Sequence, residues 1–340
     1  MVGAPTAMGD PSIETGLAAT PFRPAAWLPG GLAHTLWAAR SRGRVPMALE
    51  RWTTPDGDFL RLHFATGRDP SRPLVLLLHG LEGSVASGYV TGVARATARI
   101  GFGLAVLEFR SCGGELNQRP ETYHSGATAD LGFVVGELVR RAPGRPIHLI
   151  GFSLGGNVAL KWLGEQGEAL PAELRAAAAV SPPFDLAASS RRSDRWLGGV
   201  IARHFMRSLV PKALAKARQF PGLLDAERIR RCRSFAAFDE AVTAPLHGFR
   251  SAAHYWAAAS CGPYLDAIRR PTVVFAARDD PLNPASTIPG AIASPFVVPQ
   301  FTDRGGHVGF VEGAAPWRAR SWAEEQAVRF FALQDRARSS

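Results

Sequence analysis

Ile147-His148-Leu149-Ile150-Gly151-Phe152-Ser153-Leu154-Gly155-Gly156-Asn157 combines a short apolar run, a Gly-x-Ser-x-Gly turn and the opening of a helix-like segment. A serine on a tight turn between a buried strand and a helix has its hydroxyl held above the edge of the sheet. The N–H groups opening that helix point toward developing negative charge. Gly151 and Gly155 leave room for neighbouring elements to close on the turn. In a chain with 35 glycines the pentapeptide alone is weak, and a plain glycine-rich strand-to-helix turn is the competing reading. The strand–turn–helix setting makes it a strong sign of a nucleophilic serine.

Outward from this turn, similar apolar runs recur at 73–80, 103–109, 176–180, 271–276 and 296–301. Uninterrupted apolar runs mark strands buried on both faces of a parallel sheet. Helix-like segments at 90–100, 127–141, 156–164 and 317–333 alternate with them. Ahead of them, 45–52 and 58–64 flank the turn Pro55-Asp56-Gly57 and read as an antiparallel hairpin. The fold class is α/β: an α/β-hydrolase fold with a mostly parallel eight-stranded sheet and helices on both faces. One interval, 184–266, has no strand pattern and reads as a helical cap inserted after the sixth strand. The expected division is a loose lead-in over 1–25, a core from 26–183 and 267–340, and the cap between.

A serine hydroxyl needs a base, and this fold supplies its partners in the order Ser, Asp, His. The run 272–277 ends in Arg278-Asp279-Asp280-Pro281. His307 lies in the glycine loop Gly305-Gly306-His307-Val308-Gly309 after the last strand. A lone histidine is more often structural, but order, loop and position make His307 the base. Asp279 and Asp280 compete for the acid. The frame Ala277, Asp280, Pro284 favours Asp280, leaving Asp279 as a solvated or supporting acid. The oxyanion hole is expected from the N–H of Leu154 and of Leu81, in the loop His79-Gly80-Leu81-Glu82-Gly83-Ser84. His79 is expected to hold that loop, and Glu82 to cap a helix or touch substrate. His79, Gly80, Glu82, Tyr123 and His124 are the candidate pocket residues. Tyr123 and His124 could equally open the next helix, and His247 reads as structural.

Composition narrows the function classes. The net charge is +10, and between 190 and 233 twelve Lys and Arg face three Asp and Glu. No nucleic-acid module or aromatic interleaving accompanies this basic segment, so no nucleic-acid partner is expected. The arginines either keep exposed helices soluble or draw an anionic head group or membrane surface, a peripheral contact. No run of about 18 apolar residues suggests a membrane span. Neither a signal peptide, a metal-ligand cluster nor a dinucleotide fingerprint is recognisable, so no cofactor and no metal is expected. Cys112, Cys232 and Cys261 form no pair by spacing and fit reduced thiols in the cytoplasm.

With these motifs in place, the chain resembles the YheT-like branch of the α/β-hydrolases, related to plant embryogenesis-associated hydrolases and some animal ABHD-type acylhydrolases. The carriers are HGLEGS at 79–84, FRSCGGELN at 109–117, YHSG at 123–126, GFSLGGN at 151–157, SPPFDL at 181–186, TAPLHGF at 243–249, DDPL at 279–282 and GGHVGF at 305–310. The resemblance implies a triad of Ser153, Asp280 and His307 and hydrolysis of carboxylic esters through an acyl-enzyme. Two blocks depart from the family pattern. Arg110-Ser111-Cys112-Gly113-Gly114 stands where Arg-Gly-Cys-Gly-Gly is usual, and Leu32-Ala33-His34-Thr35 where His-Leu-Gln-Thr is usual. The expected function is a serine esterase acting on a small-molecule ester, with an apolar or lipid-like acyl group. Acyl transfer with the same triad and a binding scaffold with a vestigial triad are the alternatives.

Overall fold

A computed structural model describes residues 20–337 apart from 41, 42, 44, 68 and 70. The apolar runs form one eight-stranded sheet in the order β1-β2-β4-β3-β5-β6-β7-β8. β1 (Met47–Thr53) and β2 (Phe59–Ala65) are the antiparallel hairpin, and β2 pairs antiparallel with β4 (Gly103–Glu108). β3 (Leu74–Leu78), β5 (Ile147–Phe152), β6 (Leu174–Val180), β7 (Thr272–Ala277) and β8 (Val297–Thr302) extend it in parallel. Every residue of β3, β4, β5 and β7 is buried, as strands covered on both faces require.

Each face of the sheet carries its own core. α2 (Gly88–Arg99) and the last helix, Trp322–Arg336, cover one face, where Val93, Phe152, Phe275, Trp322 and Phe330 pack together. α3 (Thr128–Arg141) and α4 (Leu154–Gln166) cover the other with Leu131, Val134, Val158 and Leu160. Fully burying one such side chain stabilises the fold by about 1.5–3 kcal/mol, so these two layers dominate the energetics.

Between β6 and β7 the chain is helical. α5 (Leu186–Arg195), α6 (Val200–Gln219) and α7 (Ala252–Ala259) are joined by shorter turns. Met206, Leu209, Ile229, Phe238 and Val242 form a core separate from those of the sheet. α5 starts on Asp185, whose carboxylate accepts the N–H of Ala188.

Two expectations change. The last helix, α8, begins at Trp322 and not at 317. Pro316 opens a short 3-10 turn, then Arg320–Ser321 pairs with Val311–Glu312, and Trp317 stays 83% exposed. The loose lead-in expected over 1–25 lies outside the described residues up to 19, and residues 20–25 are tied down. The Trp322 indole donates to the Thr20 carbonyl, the Ala25 N–H donates to Val311 O, and Phe22 packs on Phe310 and Trp322. This threads the chain into α1 (Gly30–Ala38), beside the loop that carries His307.

Candidate active site

Ser153 stands between β5 and α4 with φ 52° and ψ −117°. This left-handed backbone costs a non-glycine residue about 1–3 kcal/mol and is held only where the surroundings over-determine it. The surroundings here are tight. A Cβ on Gly155 would lie 2.5 Å from Leu78 O and 2.6 Å from His79 O, so only glycine lets α4 close on the end of β3. Asn157, one turn into α4, donates to Ser125 O and Ala259 O and accepts the N–H of Cys261. It ties the serine turn to the loop ahead of α3 and to the end of α7.

His307 Nε2 lies 2.8 Å from Ser153 Oγ, and its Nδ1 lies 2.8 Å from Asp280 Oδ2. A carboxylate only accepts, so Nδ1 carries the proton and Nε2 accepts from the serine hydroxyl. Asp280 is buried and fully engaged. Oδ1 accepts the N–H of Leu282 and Asn283, and Oδ2 also receives the Asn283 amide. Asn283 in turn donates to Ser181 O, and the Ser181 hydroxyl accepts the N–H of Val308, next to His307. A hydroxyl, an imidazole and a carboxylate in this line can activate the serine for attack on a carbonyl and return its proton to a leaving group.

Asp279 is not a solvated acid. Its Oδ1 accepts the N–H of Gly306 at 2.8 Å and steadies the histidine loop at a second point, next to His307. Thr35, on α1, accepts the N–H of His307 itself at 2.8 Å and donates to Gly31 O at 2.8 Å. Gly306 has φ +66°, and a Cβ there would lie 2.1 Å from Gly31 O, so the loop meets α1 backbone to backbone. Thr35, Ser181, Asn283 and Asn157 were not among the expected site residues. The only sequence signals were the threonine closing the 32–35 block and the Ser181 and Asn157 positions within quoted motifs.

The loop after β3 distributes its N–H groups unevenly. Gly80 donates to Tyr89 Oη, Glu82 to Tyr123 Oη, Gly83 to Gly80 O and Ser84 to Ser87 Oγ. The Leu81 N–H has no such partner among these bonds, and Leu81 lines the cavity beside Ser153. Leu154 is the first residue of α4, where no carbonyl of the helix itself can accept its N–H.

Three pocket expectations resolve. His79 does not reach the cavity. It is fully buried, its Nε2 accepts the N–H of Phe109 and its Nδ1 therefore donates to Gly80 O. Burial lowers its pKa to about 4, so it stays neutral. Glu82 caps no helix; with φ +56° it turns toward Tyr123 Oη and Lys212 Nζ, each 2.9 Å from Oε1. Gly80, Glu82, Tyr123 and His124 line the cavity, and α3 begins only at Thr128. His247 packs on His124 with ring centroids 4.4 Å apart.

The cavity measures about 1110 Å³ and reaches from Ser153 and His307 to Phe205, Leu209, Phe238 and Leu246 of the inserted helices. Among the described residues no group of three His, Cys, Asp or Glu is placed to hold a metal ion, and no helix is long and apolar enough to cross a membrane.

Comparison with known proteins agrees with this architecture. The chain is 35% identical over 271 residues to YheT of Escherichia coli (strain K12), an esterase by name, with 78% of each chain covered. It is 29% identical over 304 residues to the phospholipase ABHD3 of Mus musculus, covering 83% of this chain and 74% of that one. The solved structure of the Pyrococcus furiosus esterase Pf2001 shares the fold at 20% identity, with a TM-score of 0.55 over 85% of this chain and 91% of that one. Residues 73–314 match the alpha/beta hydrolase fold family. The chain belongs to that family, in its YheT-like branch.

Proposed function

We propose that this carboxylic ester hydrolase works through an acyl-enzyme on Ser153, with His307 as base and Asp280 as the acid that orients it. The observation that carries the reading is the unbroken line from Asp280 Oδ2 through His307 to Ser153 Oγ, with 2.8 Å at each contact. His307 Nε2 takes the proton as Oγ attacks the ester carbonyl. The N–H groups of Leu154 and Leu81 hold the oxyanion. His307 then protonates the departing alcohol. Water, deprotonated by the same nitrogen, releases the acid and restores Ser153.

The inserted helices, 184–266, act as the cap, and their apolar side chains favour an apolar, lipid-like acyl group. The phospholipase among the relatives supports that substrate class. Cytoplasmic residence is the remaining part of the proposal, supported by the three free, buried thiols.

The test is labelling with a fluorophosphonate and turnover of p-nitrophenyl esters of increasing chain length. Ser153→Ala abolishes labelling and lowers turnover by roughly 10⁴ to 10⁶. Undiminished turnover in that variant would end the proposal.

A further inference from the structure

Seven large apolar side chains stand exposed among the described residues, and four of them line the cavity that holds Ser153: Leu32, Leu36, Leu197 and Val200. A side chain that is both exposed and cavity-lining stands at the rim. These four come from α1 and from the join between α5 and α6, elements more than a hundred residues apart. Exposed leucines scattered singly need no explanation, but their gathering at one mouth marks an interaction face.

Leu197 is the most telling. Its backbone is left-handed, φ 43° and ψ 47°, and Gly198 and Gly199 follow at φ 64° and 81°. Leucine is disfavoured in that region, and the turn wins no burial in return. It holds Leu197 outward, 67% exposed.

The surrounding charge is predominantly positive. Residues 186–207 carry Arg191, Arg192, Arg195, Arg203 and Arg207 against the single acid Asp194. The Asp194 carboxylate is already engaged by the N–H groups of Phe235 and Ala236. Arg191, Arg195, Arg203 and Arg207 are exposed, as is Arg40 just beyond α1. Arg203 also donates to Gly198 O at 2.6 Å and so braces the outward turn.

We infer that this rim docks on an anionic lipid bilayer. Its apolar side chains enter the acyl boundary while the arginines lie at phosphate level. An acyl ester then passes from bilayer to cavity without crossing water. A second copy of this chain fits the rim less well, because a symmetric contact would bring the same arginines face to face. The identity of the guest as an ester substrate rests on the proposed function; the docking itself does not.

The experiment therefore uses the full-length Ser153→Ala protein, so that binding is read without turnover. Vesicles of phosphatidylcholine alone, or mixed equally with phosphatidylglycerol, are floated at low and physiological salt. The mixed vesicles are expected to carry the protein, and the neutral ones at least tenfold less. Each of Arg191→Gln, Arg195→Gln and Arg203→Gln should weaken binding about fivefold, from roughly 1 kcal/mol per basic residue at such a surface. Leu36→Asp with Leu197→Asp should remove at least ten-fold of the binding. Leu49→Asp, exposed away from the cavity, should leave binding as it was, and melting temperatures verify that every variant is folded. Three results would each overturn the inference: no flotation with anionic vesicles, flotation indifferent to the leucine changes, or a solution dimer dispersed by Leu36→Asp and Leu197→Asp. A chain that floats as expected but, with Ser153 intact, takes up no fluorophosphonate would sink the Ser153 mechanism and leave the docking surface standing.

Discussion

The hydroxyl of Thr35 accepts the backbone N–H of His307 at 2.8 Å, across 272 residues of chain. It acts on the backbone of the base and not on its ring. Thr35→Val removes the acceptor and keeps the shape. The expected result is a fall in kcat of roughly ten- to a hundredfold with KM little changed, the size that a misplacement of the order of 1 Å produces. Thr35→Ser should restore most of it. An equal loss in Thr35→Ser, or a change confined to KM, would remove Thr35 from the positioning of His307.

The two neighbouring acids grip the same loop at different points. Asp280→Asn puts an amide against Nδ1, favours the wrong tautomer and is expected to cost about 10⁴ in turnover. Asp279→Asn keeps an oxygen able to accept the Gly306 N–H and should cost far less, while Asp279→Ala should fall between. Steady-state turnover of the three variants ranks them directly.

Glu82 and Lys212 join the loop bearing Leu81 to helix α6 at 2.9 Å, with Glu82 almost out of water. Removing the lysine strands a buried carboxylate, a change that costs about 3–5 kcal/mol in fully buried pairs and less here because Lys212 is partly exposed. Lys212→Met is therefore expected to lower both stability and kcat/KM. In the double variant with Glu82→Gln the two losses should not add. Additive effects in a double-mutant cycle would show that the pair does not couple the inserted helices to the oxyanion loop.

Burial holds His34, His79, His124 and His247 below the ordinary histidine pKa, with His79 and His247 at about 4 and His124 at about 3. The unfolded chain binds these protons first, near pH 6.5. Stability is therefore full above pH 6.5 and declines as pH falls toward 4, where the folded state takes up protons too. Fully buried His79 alone accounts for about 3 kcal/mol over that window. Urea midpoints at pH 7 and 4.5 measure the decline, and His124→Phe should make it shallower. A midpoint independent of pH would remove the buried histidines as the cause.

The sheet was legible because its strands are buried on both faces, which leaves uninterrupted apolar runs such as 74–78 and 147–152. Ser153, Asp280 and His307 were legible because each ends a strand in a turn with recognisable local chemistry. Thr35 was not. α1 opens on two glycines and has no cap or strong amphipathic stripe, and its purpose exists only once the loop 305–310 lies against it. The helix-capping alternative for Glu82 failed for the same reason, since Tyr123 and Lys212 reach it from 41 and 130 residues away, while its place in the pocket holds. The start of α8 was placed too early because Pro316 opens a 3-10 turn and Arg320–Ser321 pairs with Val311–Glu312 before the helix begins. Long-range polar contacts leave no periodicity to read.

The contact between α1 and the histidine loop also sets a timetable. Translation delivers α1 more than 250 residues ahead of the loop 305–310 and the helix that opens at Trp322. Until then α1 has neither His307 nor Val311 to receive it, and the helix that Thr20 and Phe22 lean on does not yet exist. A nascent chain can fold the turn around Ser153 well before it has a base to activate that serine. Under the proposed mechanism the hydrolase stays silent until that loop has emerged, and a product that stops short of it carries a nucleophile that cannot act.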